Sequence, residues 1–292
     1  MPRISVVIPS YARPALLRRC LAALSAQTLP REHYEVIVVD DGSPLPLDDV
    51  AAACRGPLDL TLLRQRNAGP GAARNRGAAI ARGELLAFTD DDCLPDRGWL
   101  EAMARQHAAT PADLLGGRVV NHDPDNIYAE ASQFILEGAY RYYAPHPGPG
   151  QFFASNNMAV PAAAFARLGG FDETFRVASE DRDLCARWNA SGRALRLVEG
   201  ALVRHAPRLG LARFARQHFN YGRGAFRYHQ ARTGREPQRT VQALTAHWRF
   251  LGTVAEGFAG RTVADRLRIG ALLLLWQIVN LAGYLYSASR YR

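Results

Sequence analysis

The feature that most constrains the fold is a series of short apolar segments, each followed at once by polar or acidic residues. Residues 4–9 (ISVVIP), 36–39 (VIVV) and 85–89 (LLAFT) have the composition of buried strands, and weaker strands are predicted at 60–63 and 114–120. Predicted helices begin at Pro14, near Ala72, at Trp99 and near Tyr128. Strands alternating with helices predict an α/β fold with a mostly parallel sheet.

Polar clusters follow three of the predicted strands. These clusters are Ser10-Tyr11 with Arg13, then Asp40-Asp41, and finally Asp90-Asp91-Asp92. In open α/β sheets, ligands bind beyond the carboxyl ends of the strands. The three clusters are therefore predicted to line one crevice.

Asp90, Asp91 and Asp92 are adjacent carboxylates, and their repulsion is costly at a buried strand end unless something compensates for it. Their oxygens favour a divalent cation, Mg²⁺ or Mn²⁺, over softer metals. The alternative is a solvated acidic turn, or a set of caps for the helix that follows Pro95. The apolar strand before the cluster and the second acidic strand end favour the metal site.

Residues 69–77 (GPGAARNRG) superficially resemble a dinucleotide-binding fingerprint, but Arg74 stands where its third glycine belongs. A dehydrogenase is therefore disfavoured. A helix N-terminus beside Arg74 and Arg76 suits a diphosphate or a base carbonyl, with two exposed surface arginines as the alternative.

Residues 179–183 (SEDRD) open a further predicted helix. Acidic residues in a first turn are commonly caps, but a carboxylate there can also face the crevice and take a proton from an acceptor hydroxyl. The residue types do not separate Glu180 from Asp181. His205 is either structural or a ligand, and Asn156 with Asn157 either binds a sugar or caps a turn.

The chain of 292 residues has a net charge of +9, and all of its 36 basic residues are arginine. A basic surface suits anionic small molecules, lipid headgroups or nucleic acid. The sequence has no basic run or RNA-binding signature, so we expect no nucleic-acid partner. Four dispersed cysteines and the absence of an opening signal-peptide pattern predict a reducing, cytoplasmic location.

The C-terminal segment differs from the rest in composition. Residues 269–286 are eighteen residues without a formal charge. As a helix they reach roughly 27 Å, just short of a hydrocarbon core. A membrane span, an interfacial helix and a helix packed on the main domain all fit. Basic charge beside an apolar helix favours the anionic cytoplasmic face of a membrane. We expect a main domain at 1–232 and a helical extension at 233–292, with apolar helical spacing also at 241–258.

Six segments, in this order, resemble the family-2 glycosyltransferases with a GT-A fold. They are residues 4–13 (ISVVIPSYAR), 36–43 (VIVVDDGS), 67–77 (NAGPGAARNRG), 85–96 (LLAFTDDDCLPD), 169–173 (GGFDE) and 179–188 (SEDRDLCARW). The resemblance implies a Rossmann-like, mixed, mostly parallel sheet flanked by helices, with a helical C-terminal tail. It also implies an enzyme that depends on a divalent cation.

The resemblance implies a role for each matching residue. Those expected to bind the nucleotide are Pro9, Ser10, Tyr11, Arg13, Asp41, Arg74, Asp90 and Asp91, with Asp41 at the base. Asp90 and Asp92 match the ends of the DxD signature and are expected metal ligands, Asp92 above all. His205 is a looser match to a histidine that contacts the metal or phosphate in some relatives, and it is the third expected ligand. Asp181 is the expected catalytic base. The acceptor is expected to contact Asn156, Asn157, Glu180 and Trp188.

The implied reaction is inverting transfer from a nucleoside-diphosphate sugar, expected to be UDP-linked, to a hydroxyl of a saccharide or lipid-linked acceptor. The implied setting is synthesis of cell-surface polysaccharide or glycolipid. Polymer synthases of this family carry QxxRW, whereas Leu184 stands here at the glutamine position before Arg187-Trp188, which argues against polymerisation. The alternative, a non-catalytic nucleotide-sugar-binding protein, would not need Glu180 and Asp181.

Overall fold

The computed structural model describes residues 3–54, 56–143, 152–233 and 250–290. The strands within these ranges are β1 (Ile4–Ser10), β2 (Tyr34–Asp40), β3 (Leu60–Arg64), β4 (Leu85–Phe88), β5 (Cys93–Pro95), β6 (Leu114–Asn121), β7 (Met158–Pro161) and β8 (Leu195–His205). They form one sheet in the order β3-β2-β1-β4-β7-β6-β8-β5.

The sheet has a parallel part and an antiparallel part. β1 pairs in parallel with β2 and β4, and β2 pairs in parallel with β3. β7 is antiparallel to both β4 and β6, and β5 is antiparallel to β8. This mixed sheet, flanked by helices, confirms the predicted fold class.

The helices are α1 (Pro14–Ser25), α2 (Asp48–Cys54), α3 (Pro70–Ile80), α4 (Trp99–Ala109), α5 (Ile127–Tyr143), α6 (Ala162–Arg167), α7 (Glu180–Ala190), α8 (Leu211–Thr233) and α9 (Val263–Arg290). Residues 250–256 are also helical. Of the helix predicted over 241–258, residues 241–249 lie outside the described part. The sequence reasoning did not identify α2, α6 or α8.

Complementary apolar faces hold the helices on the sheet. All residues of β1 and β2 are buried. Leu17, Leu21 and Leu24 of α1 belong to the cluster on one face of these strands, and burying each contributes about 1.5–3 kcal/mol. On the other face, α3 comes close because Gly77 has no Cβ: a Cβ there would lie 2.5 Å from Val7 Cγ1.

The described residues divide into two compact units. The first falls within residues 1–120, 153–176 and 180–206, and the second within 121–152, 177–179 and 207–292. The first unit contains nearly all of the sheet and the predicted site residues. The domain boundary expected at residue 232 stays a prediction.

The second unit contains α5, α8 and α9, and the most extensive packing is between α8 and α9. Ala131, Phe214 and Trp276 bring the three helices together in one apolar cluster. Among the described residues, α9 is the one helix whose length and composition would allow it to cross a membrane.

Candidate active site

The carboxyl ends of β1, β2 and β4 meet at one edge of the sheet because these strands are parallel. The Oγ–H of Ser10 donates a hydrogen bond to Asp91 Oδ2 over 2.7 Å. The amide of Asp41, directly after β2, donates to the carbonyl of Ser10 over 2.9 Å. Three polar clusters that are distant in sequence therefore lie in contact.

Asp92 lies between two basic side chains. Its Oδ2 accepts a 2.6 Å hydrogen bond from Arg13, whose other terminal nitrogen lies 3.0 Å from Asp91 Oδ1. Its Oδ1 lies 3.5 Å from Nε2 of His205. The antiparallel pairing of β5 with β8 places Cys93 opposite His205, which explains how this histidine reaches the acidic cluster.

Burial and neighbouring charges give the aspartates different protonation behaviour. Burial raises the pKa of Asp91 to about 7, although Arg13 opposes the shift. Burial also acts to raise the pKa of Asp92, but His205 and Arg13 outweigh it and hold that pKa below its usual range. Burial acts to lower the pKa of His205, and the Asp92 carboxylate outweighs this and raises it. Asp92 is therefore held as an anion, as a metal ligand must be.

Asp92, Cys93 and His205 form the group of potential metal ligands found among the described residues, with ligand atoms within 4.8 Å of one another. Burial, and then the charge of Asp92, raises the pKa of the Cys93 thiol well above its ordinary value. A protonated thiol is a poor ligand, and Mg²⁺ and Mn²⁺ prefer oxygen. The donor set that fits such a cation is therefore the Asp92 carboxylate with His205, whose imidazole would give up the proton that Asp92 stabilises when the cation binds. Asp90, also expected as a ligand, is bound at Oδ1 by Arg74 over 2.6 Å.

The carboxylate of Asp41 organises the loop after β3. Its Oδ1 accepts hydrogen bonds from Gln65 Nε2 at 2.8 Å and from the Ala68 amide at 2.9 Å, and its Oδ2 accepts from the Gly69 amide at 2.9 Å. Gly69 has a φ of 95°, and a Cβ there would lie 2.9 Å from the carbonyl oxygen of Arg176. A carboxylate oxygen can accept two hydrogen bonds, so Oδ2, which accepts one from Gly69, retains capacity for a ligand donor.

Tyr11 and Pro9 differ in what they can offer a nucleotide. Tyr11 is 46% exposed, so its ring is open to stacking on a base. Pro9 is buried within β1 and pairs with Val39, so it supports the position of Ser10 and has no open surface for a ligand.

Arg74 is fully buried and joins two carboxylates. One terminal nitrogen lies 2.6 Å from Asp90 Oδ1 and the other lies 2.9 Å from Glu180 Oε1. Its guanidinium also lies 5.6 Å from the centre of the Phe171 ring. Both terminal nitrogens thus face protein acids, which departs from the expected contact with a base or diphosphate. Arg74 instead positions the acids.

Glu180 and Asp181 open α7 as predicted. Burial, followed by the charge of Asp181, raises the pKa of Glu180 to about 7 against the opposing effect of Arg74. Burial also raises the pKa of Asp181, although the Arg182 amide donates to its Oδ1 and opposes the shift. The Ser155 amide lies 3.3 Å from Asp181 Oδ2. Burial of this kind is how a carboxylate acquires the basicity that proton transfer near neutral pH requires.

Two non-glycine residues in the described ranges have positive φ angles, and both adjoin predicted site residues. Ala12, with φ 55°, precedes Arg13, and Ser179, with φ 76°, precedes Glu180. Residues other than glycine seldom occupy this region, and such strain concentrates at functional sites.

The residues expected to contact the acceptor separate into two groups. Within the described part, Asn156 is buried with no hydrogen-bond partner for its Oδ1, so it retains capacity for a ligand. Asn157 is occupied instead: its Nδ2 donates to the carbonyls of Arg118 and Ala201, and its Oδ1 accepts from Trp99 Nε1. Trp188 is fully buried in the core. We therefore assign Asn157 and Trp188 structural positions and remove them from the candidate acceptor site.

Gln65 and Ser155 are the contributors that the sequence reasoning missed. Gln65 follows the carboxyl end of β3, so its position beside Asp41 follows from the same rule that located the other clusters. Ser155 contributes a backbone amide, for which the residue type carries no signal.

Comparison with known proteins identifies the class to which this fold and site belong. Residues 5–167 match Glycosyl transferase family 2, and residues 87–287 match Glycosyl transferase family group 2. The chain belongs to glycosyl transferase family 2.

Among the similar proteins is the validoxylamine A glucosyltransferase of Streptomyces hygroscopicus subsp. jinggangensis, 34% identical over 66% of this chain and 52% of that protein. The pre-mycofactocin glycosyltransferase of Mycobacterium tuberculosis is 34% identical over 76% of this chain and 46% of its own length. The chain thus spans about half the length of these relatives.

Solved structures share the fold. The mannosyltransferase PcManGT from Pyrobaculum calidifontis, in complex with GDP-Man and Mn²⁺, has a TM-score of 0.69 at 21% identity and covers 98% of this chain and 87% of its own. Residues 1–349 of Staphylococcus aureus TarS, in complex with UDP, have a TM-score of 0.55 at 16% identity and cover 100% of this chain and 91% of their own.

Proposed function

We propose that this chain transfers a sugar from a nucleoside-diphosphate sugar to an acceptor hydroxyl, inverting the configuration at the anomeric carbon. The observation that carries the proposal is the double pairing of Arg74, at 2.6 Å to Asp90 and 2.9 Å to Glu180. This pairing joins the strand-end aspartates to the acid pair of α7 in one site. Membership of the family supports the reaction class.

The donor is proposed to bind along the strand ends. Asp41 Oδ2 would accept a hydrogen bond from the base, and the exposed ring of Tyr11 would stack on it. Arg13 is half exposed, so its guanidinium can turn from Asp92 towards the diphosphate. The GDP-Man and UDP held by the two structural neighbours support a nucleoside-diphosphate donor, and we propose UDP.

Asp92 and His205 are proposed to hold Mg²⁺ or Mn²⁺. A divalent cation bound there would neutralise the charge that develops on the departing diphosphate. The pairing of Asp92 with His205, together with the Mn²⁺ of the mannosyltransferase neighbour, supports this assignment.

Asp181 is proposed as the base. Its carboxylate takes the proton of the acceptor hydroxyl as the hydroxyl oxygen forms a bond to the anomeric carbon from the opposite face. The bond from that carbon to the diphosphate oxygen breaks, and the nucleoside diphosphate leaves with the electron pair. A positioned base contributes ~10²–10⁴ in rate. Glu180, held by Arg74, and the free Oδ1 of Asn156 would orient the acceptor.

The acceptor is proposed to be a saccharide or lipid-linked saccharide, used in cell-surface polysaccharide or glycolipid synthesis. The apolar helix α9 and the net charge of +9 support work at the cytoplasmic face of an anionic membrane. A membrane location would bring the enzyme to a lipid-linked acceptor.

Asp181→Asn tests the base without requiring a known acceptor, because water can take the place of the acceptor hydroxyl in donor hydrolysis. We expect the variant to bind donor like the native protein, while release of nucleoside diphosphate by hydrolysis falls by ~10²–10⁴. Glu173→Gln, an exposed acid on the loop before α7, is the matched control and should leave hydrolysis unchanged. If Asp181→Asn retained most of the activity, the base assignment would be wrong. Donor binding without turnover in the native protein would indicate a non-catalytic binding protein.

A further inference from the structure

The exposed side of α9 is apolar along its length. Six large aliphatic side chains on this side have exposed fractions between 57% and 73%. They are Val263, Leu267, Leu274, Ile278, Leu281 and Leu285. With 3.6 residues per turn, these six fall within about 60° of one another around the helix axis. We call this stripe the outer face of α9. A contiguous apolar surface of this kind marks an interaction site.

The opposite side of α9 carries the polar and small residues and packs on α8. Asn280 Nδ2 donates to the His218 carbonyl over 3.3 Å, and the ring centres of Tyr284 and Phe226 lie 5.2 Å apart. A Cβ on Gly283 would lie 1.9 Å from the Phe219 carbonyl oxygen, so the backbones are in close contact. A helix of a water-soluble protein has its polar side outward. A helix that contacts lipid has the reverse arrangement, with its small and polar residues inward and its apolar residues outward.

The composition of α8 argues against a membrane span. α8 carries Arg216, Arg223 and Arg227 and packs against the second half of α9, where it contacts Asn280, Gly283 and Tyr286. The guanidinium of Arg223 lies 5.6 Å from the Tyr286 ring centre of α9. If α9 crossed the bilayer, these arginines would enter the hydrocarbon beside it, which is strongly unfavourable.

Arginines lie at both ends of the outer face. Arg266 and Arg268 are exposed at its start and Arg290 at its end, and no formal charge occurs over residues 269–289 between them. Positive charge that flanks an apolar stripe complements a lipid surface with anionic headgroups.

We propose that the outer face of α9 lies in the plane of an anionic lipid bilayer, with its apolar side chains among the acyl chains, and that α9 does not cross the membrane. The inference deepens the membrane location proposed above and is independent of the transfer reaction.

Vesicle binding tests the surface. The full chain is expected to co-sediment with phosphatidylcholine vesicles that contain phosphatidylglycerol and more weakly with phosphatidylcholine alone. Leu274→Glu with Ile278→Glu should lower the partition coefficient by about a hundredfold, because two aliphatic side chains lose their burial. The matched control is Leu45→Glu with Leu197→Glu, the same change at exposed leucines outside α9, which should retain binding. Circular dichroism would check that each variant is folded.

Cysteine labelling distinguishes a helix that lies in the plane of the membrane from one that spans it. In a Cys54→Ser background the native cysteines that remain, Cys20, Cys93 and Cys185, are buried, so Ala264→Cys and Ser289→Cys each add one accessible thiol at an exposed end of α9. An impermeant maleimide added outside the vesicles should modify both positions, whereas protection of one would show a span and overturn the proposal. Failure to bind either vesicle would also overturn it. The proposal would also be overturned if the native protein were a dimer without lipid and the double substitution Leu274→Glu with Ile278→Glu made it a monomer. The outer face would then be a protein interface. Neither result bears on sugar transfer, which donor hydrolysis tests separately.

Discussion

Replacing Arg74 with methionine removes the cation between Asp90 and Glu180 while keeping a side chain of similar length. Arg74 and Glu180 are both buried, and their atoms are 2.9 Å apart. Breaking a buried ion pair by removing one partner costs about 3–5 kcal/mol, because the remaining charge lies uncompensated in the interior. Arg76→Met is the matched control: Arg76 is exposed two residues away in the same helix, so its replacement should change stability by no more than about 0.5 kcal/mol.

The cost of Arg74→Met should depend on pH. Burial already raises the pKa of Glu180 to about 7, and Arg74 opposes that shift. Without Arg74 the folded-state pKa rises further above the unfolded value of about 4.3. Because the folded state then binds the proton more tightly, the penalty is fully present above the folded-state pKa and is relieved as pH falls through it. Arg74→Met should therefore be more destabilising at about pH 8 than at about pH 5.5.

Urea unfolding followed by tryptophan fluorescence measures this directly, since Trp99 and Trp188 are buried in the same unit as Arg74. A second change, Glu180→Gln, removes the buried charge and should restore part of the stability lost in Arg74→Met. If Arg74→Met were no more destabilising than Arg76→Met at about pH 8, Arg74 would not be holding the two acids together.

Three further results are expected. Gly77→Ala should lower the free energy of unfolding by about 1–3 kcal/mol, since its Cβ would lie 2.5 Å from Val7 Cγ1. Gly56→Ala is the control, because a Cβ there meets nothing within 4 Å. Equal urea midpoints for the two variants would contradict this prediction. Hydrolysis should fall as pH drops through a pKa above the ordinary aspartate value of about 3.9, because burial raises the pKa of Asp181 and the base must be ionised; an acid limb at the ordinary value would argue against Asp181. The rise in Tm that we expect with donor and Mn²⁺ should be kept in Cys93→Ala and reduced in His205→Ala; loss of the response in Cys93→Ala would make the thiol a ligand.

Local sequence patterns identified the parallel half of the sheet because β1, β2 and β4 are apolar runs with no competing period. The rule that ligands lie beyond carboxyl strand ends then grouped Ser10, Asp41 and Asp91 correctly. The helix that begins at Glu180 was also recognisable from its acidic first turn.

Long-range pairings were beyond the reach of those patterns. Arg74 and Glu180 are 106 positions apart, and nothing local to either residue indicates that the other neutralises it. His205 reaches Asp92 through the register of β8 against β5, which depends on the whole antiparallel half of the sheet. Asn157 shows the reverse error: its amide suggested sugar binding, but the burial that makes it structural is visible only in three dimensions.

Asp92 and a divalent cation are proposed to act together in the nucleotide-sugar site. A thermal-shift panel of nucleotide-sugars, with and without Mn²⁺, tests it on the native protein and on Asp92→Ala. We predict a rise in Tm for the native protein that requires both a nucleoside-diphosphate sugar and Mn²⁺, corresponding to about 2.7 kcal/mol at a ligand concentration 100-fold above Kd, and no such rise for Asp92→Ala. The proposed site would be contradicted if no nucleotide-sugar raised the Tm of the native protein. It would also be contradicted if the rise were equally large in the presence of a chelator or in Asp92→Ala.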